Sequence, residues 1–356
     1  MAATVDTSQG GGDTMGSRDP AAGEASSTDM PDSEERPTMQ LQVVLDRLGF
    51  SPGVIDGKMG MSTSNAISGF QKANDLKVSG ELDGATKQAL SRHDNINATR
   101  VVTIPEEFAV GRYEKIPDSP VKQAEMKRLG YESLEEKLAE RFHTTAETLR
   151  MLNPGGRPAG AASDQNSRAR PGDEEGGVFA AGQQIRVPNV GRDFIDQSAK
   201  IDGDWKQTLR DLGIGTDQPN ARRIVVDKSE NILAVYGDDE KLLAQFTVTS
   251  GSSHDPLPIG EWQITGVAHN PTFSYNPELF WDVPDSNAKQ QLPPGPNGPV
   301  GVVWIDLSKE HYGIHGTSAP ETIGRAQSHG CVRLTNWDAA RLAQMVSQST
   351  KVVFQK

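Results

Sequence analysis

The chain has 356 residues, 35% of them hydrophobic and 6% aromatic, with 36 Gly, 22 Pro and a formal net charge of -12. That length allows two or three domains, and the low apolar content excludes one large core. The acidic balance, with no basic block, argues against nucleic acid as the partner, because phosphate binding needs clustered Lys and Arg.

Cys331 is the single cysteine, so no internal disulfide forms. No apolar run reaches the ~18 residues of a membrane span. The opening MAATVDTSQGGGDTMGSRDP has no charged start followed by an apolar core, so no secretory signal is visible. The chain is therefore expected to be cytosolic or a mature or trimmed form. Residues 1–36 carry eight Asp/Glu against two Lys/Arg, half of the total charge. Too polar to offset the entropy of ordering, residues 1–38 are expected to form a disordered tail or a linker.

Residues 39–93 read as a small helical domain. Leu41, Val44, Leu45 and Leu48 share one helical face. A Gly-rich loop follows, then a helix with Ala66, Ile67 and Phe70, then a third helix with Asp83 as its N-cap and Leu90 inward. The LQ-x-x-L-x-x-LGF opening, the DG-x-x-G turn and the AI-x-x-FQ helix resemble the three-helix peptidoglycan-binding domain. A three-helix bundle with no ligand is the alternative.

Residues 94–190 start with short strands and an extended connector. LAERFHTTAETLRMLNP and, after a long polar loop, GQQIRVP then resemble a LysM module, another glycan binder. The long insertion and the missing first strand depart from that pattern, and a purely structural spacer is the other reading. His143 is expected at a helix end or turn, with no chemistry. Residues 191–221 read as a linker with one short helix.

From residue 222 to 356 the pattern alternates. RIVVDKSENILAVYG, KLLAQFTVTSG, EWQITGVAH, VGVVWIDL and KVVFQK read as strands, and DAARLAQMV as the one clear helix. An all-β sandwich or barrel is expected. Residues 270–300 form a Pro/Gly/Asn loop with Phe273, Tyr275, Phe280 and Trp281, either a substrate lid or a cover for the core. Trp262, Trp304 and Trp337 are expected to be structural, and His254 and His269 to face solvent.

The chemistry concentrates in HGTSAPETIGRAQSHGCVRL, residues 315–334. A thiol attacks as thiolate and needs a base or an ion pair, because its free pKa is about 8.5. His315 and His329 are near in sequence, and residues two apart in a strand share a face, which pairs His329 with Cys331. Gly330 lets backbone N–H groups approach a reacting oxygen. Arg333 is placed to hold an anionic substrate group or to anchor the loop.

HGT, SHGC-x-R and the PLPIGEW entry together resemble the L,D-transpeptidase catalytic domain of the YkuD type. The resemblance implies Cys331 as nucleophile, His315 as proton carrier with its tautomer set by the Gly316 carbonyl, and His329 ordering the site. It further implies an oxyanion hole from the Gly330 and Cys331 N–H groups. Ser328 of the SHGC core is counted with the catalytic residues. Arg333, Tyr312, Trp281, Tyr275 and Asn297 are the candidate substrate contacts. No metal or cofactor is needed. The whole is then a multidomain protein: an all-β YkuD-like catalytic domain preceded by a three-helix domain and an α+β LysM-like module.

The implied substrate is the peptidoglycan tetrapeptide stem, which loses its terminal D-Ala to a Cys331 thioester that a second stem resolves as a 3→3 cross-link. A lipoprotein lysine or water are alternative acceptors, the latter giving an L,D-carboxypeptidase. Peptidoglycan places the protein in the periplasm or cell wall. Two rivals come from other classes. Zinc hydrolysis would use His311, His315, His329 and Cys331, but His311-x-x-x-His315 converges only on a helix, and HYGIHGT has strand character and no HExxH glutamate. A non-enzymatic wall-binding protein would not need the His and Cys set.

Overall fold

The computed structural model describes residues 25–28, 30–161, 178–191, 194–196, 198–279, 288–328 and 330–356, with side chains from residue 30 onward. His329, Phe280, Trp281, most of the polar loop before residue 178 and most of the N-terminal tail lie outside the described residues.

The chain begins with strand β1 (Ala25–Thr28) and then helices α1 (Pro37–Arg47), α2 (Met61–Ala73) and α3 (Gly84–Leu90). Proline suits the first turn of α1, where its missing N–H is not needed. The Asp83 carboxylate accepts from Thr86 N–H at 2.8 Å and caps α3. Leu41, Val44 and Leu45 pack on Phe50, Ile67, Phe70 and Leu90 in a core of their own. Met39 and Val43, on another side of α1, join the core of the next module. The helical domain is therefore fused to its neighbour along α1.

That neighbour contains β2 (Thr99–Thr103), short helices α4 (Glu106–Ala109) and α5 (Pro120–Ala124), then α6 (Leu134–Arg141), α7 (Ala146–Leu152) and β3 (Gln184–Pro188). Ser133 and Thr145 cap α6 and α7 through their hydroxyls. Strands β1, β2 and β3 form one antiparallel sheet with β2 in the middle. Leu138, Phe142, Leu149 and Leu152 pack against Val102, Ile104, Ile185 and Val187. Strand β2, within the stretch expected to hold short strands, lies well upstream of α6. Residues 30–36, read as tail, also have fixed partners. Buried Arg186 donates to the carbonyls of Met30 and Pro31 and lies 3.7 Å from the Asp32 carboxylate.

Helix α8 (Gly203–Leu212) lies in the stretch read as linker. Its Trp205, Leu209 and Leu212, with Ile195 and Ile214, belong to the core of the following β domain. Apolar residues at 205, 209 and 212 follow the helical period, and the αL Gly213 stops the helix. The β domain therefore begins structurally before residue 222.

It continues with β4 (Arg223–Asp227), β5 (Ile232–Tyr236), β6 (Leu242–Thr247), β7 (Thr249–Ser250) and β8 (Gly260–His269). Next come β9 (Phe273–Tyr275), β10 (Gln290–Leu292), β11 (Val303–Leu307), β12 (Gly313–His315), β13 (Val332–Arg333), α9 (Asn336–Met345) and β14 (Lys351–Gln355). Nine strands pair in the order β6-β5-β4-β14-β8-β11-β12-β13-β7, and β9 pairs with β10 apart from them. Two segments serve both halves of the sheet. Residues 260–263 of β8 pair with β14, and 264–269 pair with β11. Strands β6 and β7, one residue apart, sit at opposite ends of the order. The sheet thus returns on itself in a barrel-like form. Ile224, Leu233, Phe246, Ile305, Ile314, Val332 and Phe354, from both halves, share one core with Trp337 and Leu342 of α9.

The free edge of β6 is covered. Ser51 N–H donates to Gln245 O at 2.9 Å, Gln245 N–H to Gly49 O at 3.0 Å, and Gln245 Nε2 to Asn65 O on α2 at 2.6 Å. Pairing the edge this way removes a template for aggregation. It also docks the helical domain directly on the β domain. At the meeting of all three parts, His143 is fully buried with φ +53°, stacks on Trp337 at 5.2 Å, and bonds to Asp46 and to the Leu212 carbonyl. It sits at the helix-end turn expected of it, but as a buried tie between modules.

Candidate active site

The site is built on β12 and β13, adjacent parallel strands with Ile314 opposite Val332 and His315 opposite Arg333. Cys331 immediately precedes Val332, so it lies two register positions from His315 across neighbouring strands. Leu334 N–H donates to His315 O at 2.8 Å and extends the pairing past Arg333. Short strands with Val and Ile at their centres fit a half-buried pleated surface.

His315 is buried, and its Nδ1–H donates to the Gly316 carbonyl at 2.7 Å. A carbonyl only accepts, so this bond fixes the proton on Nδ1 and leaves Nε2 as the base. Burial, and then the Arg333 charge, push the imidazolium down to about 3, against a smaller opposing effect of the Gly316 carbonyl. Burial raises the Cys331 thiol, partly offset by the Gly313 N–H and by Arg333. Burial therefore favours the neutral imidazole and the neutral thiol. Burial raises the thiol and holds the imidazolium near 3, so complete proton transfer before attack is disfavoured. Proton transfer must accompany S–C bond formation.

Ser328 is buried and closes the turn that carries the thiol. Its Oγ donates to the Cys331 carbonyl at 2.6 Å and accepts the Gly251 N–H at 2.6 Å. Ser328→Ala leaves that buried N–H without its acceptor and is expected to cost about 1–3 kcal/mol in a urea titration. Gly330 has φ +97°, and a Cβ there would stand 2.5 Å from the Tyr312 ring. Tyr312 thus lies against the nucleophile's turn, and burial together with the Asp255 and Cys331 charges raises its phenol.

The other candidates divide. Arg333 stands close enough to His315 and Cys331 for its charge to act on both. Tyr275 lies on the β9–β10 ribbon, opposite Gln290. Asn297 is directed elsewhere: its Nδ2 donates to Gly130 O at 2.9 Å and to Glu136 Oε1 at 2.7 Å, tying the loop before β11 to the preceding module. Its amide N–H groups are committed to protein partners, which removes the basis for counting it as a substrate contact. His329 and Trp281 lie outside the described residues.

Sequence reasoning missed Trp304. Its ring stacks on His315 at 5.5 Å, opposite it on β11, with Nε1 donating to Asp306 at 3.2 Å. It is expected in the core and is instead partly buried on the imidazole's side of the sheet. Only the strand register reveals this. His269 rests one face on Trp205 at 4.2 Å. Among the described residues, no cluster of three or more His, Cys, Asp or Glu side chains forms a metal site.

The family model of the YkuD L,D-transpeptidase catalytic domain matches residues 221–354, and that of the Putative peptidoglycan binding domain matches residues 36–90. The chain is 28% identical over 217 residues to the Putative L,D-transpeptidase YkuD of Bacillus licheniformis, covering 61% of this chain and 90% of that protein. It is 30% identical over 141 residues to the Putative L,D-transpeptidase YqjB of Bacillus subtilis (strain 168), covering 38% of this chain and 72% of that protein. Among solved structures, L,D-transpeptidase 3 from Mycobacterium tuberculosis in complex with a faropenem-derived adduct matches at 17% identity and a TM-score of 0.32. That match covers 38% of this chain and 60% of the mycobacterial chain. The assignment rests on the sequence matches. The chain belongs to the YkuD family of L,D-transpeptidases and carries a peptidoglycan-binding domain ahead of the catalytic one.

Proposed function

We propose that this protein is a cysteine L,D-transpeptidase that releases the terminal D-Ala of peptidoglycan tetrapeptide stems and forms 3→3 cross-links. The observation that carries the reading is the buried, Nδ1-protonated His315 on the strand beside Cys331. Cys331 attacks the carbonyl between the third residue and D-Ala as its proton passes to His315 Nε2. Gly330 and Cys331 N–H groups hold the oxyanion, and Ser328 keeps their turn closed. The C–N bond breaks, His315 returns the proton to the departing amine, and a thioester remains. An amine of a second stem attacks it, His315 takes that proton, and the thiolate leaves and is reprotonated. Arg333, whose charge acts on both His315 and Cys331, holds an anionic group of the stem, and Tyr312 and Tyr275 are further candidate contacts. His329 orders the turn.

The segment 94–190 is read as a LysM-like module, supported by two helices packed on an antiparallel strand pair. With two wall-binding modules docked on it, the catalytic domain works in the periplasm or cell wall. Purified sacculi incubated with the full chain are expected to yield 3→3 dimers and free D-Ala. Tripeptides alone would identify water as the acceptor, and stems linked to lysine a lipoprotein transferase. Unchanged muropeptides would remove the proposal.

A further inference from the structure

We propose that Glu140, on helix α6 of the module ahead of the catalytic domain, is a positioning residue that holds the proton carrier His315 in place through Asn336. The inference rests on the reading of His315 given above. Asn336 opens α9 and is completely buried. Its Nδ2 donates to Glu140 Oε1 at 2.8 Å and to the Pro296 carbonyl at 3.1 Å, and its Oδ1 accepts the Val302 N–H at 3.3 Å. Two acceptors on one end and a donor on the other fix the orientation of the amide. Oδ1 also lies so close to Gly316 and Gly301 that neither position has room for a Cβ. Gly316 is the residue whose carbonyl takes the His315 Nδ1–H. One contact path therefore runs from the Glu140 carboxyl through the Asn336 amide and the Gly316 peptide to the imidazole.

Stability alone does not account for a carboxyl at this position. Glu140 is buried, its second oxygen takes the Tyr131 hydroxyl at 3.0 Å, and Glu136 and Asp211 add like charge, with Lys137 3.2 Å from Asp211. Burial, reinforced by those carboxylates, pushes Glu140 up to about 8 against the opposing hydrogen bonds from Asn336 and Tyr131. An apolar side chain of similar volume would avoid that desolvation. What it would not supply is the acceptor that orients Asn336. Without it, the amide keeps one acceptor, the contact at Gly316 loosens, and the imidazole follows the carbonyl it is bonded to. A module outside the catalytic domain thereby completes the active site.

The test compares Glu140→Leu and Glu140→Gln in the full chain. Glu140→Leu is expected to fold with an unchanged circular dichroism spectrum. Its kcat should fall on the order of 10- to 100-fold at constant KM, the cost of a small misplacement of a reacting group. Glu140→Gln keeps the acceptor and should restore kcat. A second reading uses the His315 ring resonances of the 15N-histidine-labelled protein, which need neither turnover nor the leucine variant. They should shift as Glu140 ionises between pH 7 and 9 in the wild type and stay flat over that range in Glu140→Gln, because burial keeps the Cys331 thiol raised in both. Wild-type kcat in a folded Glu140→Leu protein, or a His315 resonance that ignores this pH range or titrates equally in Glu140→Gln, overturns the proposal. Absence of L,D-transpeptidation in the wild type would instead fault the proposed function and leave the resonance test standing.

Discussion

Replacing His315 with alanine is expected to lower kcat by about 100- to 10,000-fold, the span seen when a positioned general base is lost. The geometry says why. Nδ1 is committed to the Gly316 carbonyl, so Nε2 is the atom that takes the thiol proton. Burial opposes the charge on both groups, which disfavours a preformed thiolate–imidazolium pair. The wild-type rate of Cys331 alkylation by iodoacetamide should therefore keep climbing past pH 9, with no plateau between pH 6 and 8. The sign follows from the directions. A raised thiol pKa moves thiolate formation to higher pH, and an imidazolium near 3 cannot hold a thiolate at neutrality. For the same reason kcat/KM should show no His inflection between pH 5 and 8. A plateau in alkylation already complete at pH 7 would mean that the pair is ionised and that His315 acts as a counter-charge.

Much of this was legible before any coordinates. Alternation in RIVVDKSENILAVYG and its neighbours gave the strands, because a half-buried sheet needs period two. The HGT and SHGC-x-R motifs point to the thiol and its base through their resemblance to the YkuD-type catalytic domain. What was not legible depends on contacts between distant residues. His143 meets Asp46 and Trp337, 97 and 194 positions away, and nothing around HTT in the chain distinguishes it from a surface turn. Trp304 is expected in the core, yet its alternation with the core residues Val303 and Ile305 places it on the imidazole's side of the sheet. Helix α8 is expected as one short helix in a linker, but its three large apolar side chains among polar ones do not reveal that they join the core of the β domain. Glu140 lies on a helix with acidic neighbours, a pattern that ordinarily marks a solvated face.

Gly330→Ala is the second large effect, expected to reduce kcat by about 100- to 1,000-fold, as for loss of an oxyanion donor. Two penalties act together. At φ +97° an L side chain is strained wherever it points, and the added Cβ would press on the Tyr312 ring. Both would displace the N–H groups of residues 330 and 331 from the oxyanion position proposed for them. The double variant Gly330→Ala/Tyr312→Ala separates them, since it relieves the ring contact and leaves the dihedral strain. It should remain impaired by at least about tenfold, because backbone aim is the requirement. Full recovery in the double variant would show that only the ring contact mattered and that Gly330 does not aim a donor.

The central claim is that Cys331 carries the peptide as a thioester after D-Ala has left. The most direct measurement is intact-protein and peptide mass spectrometry of the full chain mixed with a disaccharide tetrapeptide and quenched in acid. The expected result is a covalent adduct on the Cys331 peptide with the mass of the substrate minus D-Ala, absent in Cys331→Ala. D-Ala release that persists in Cys331→Ala, or an adduct on another residue, would contradict it.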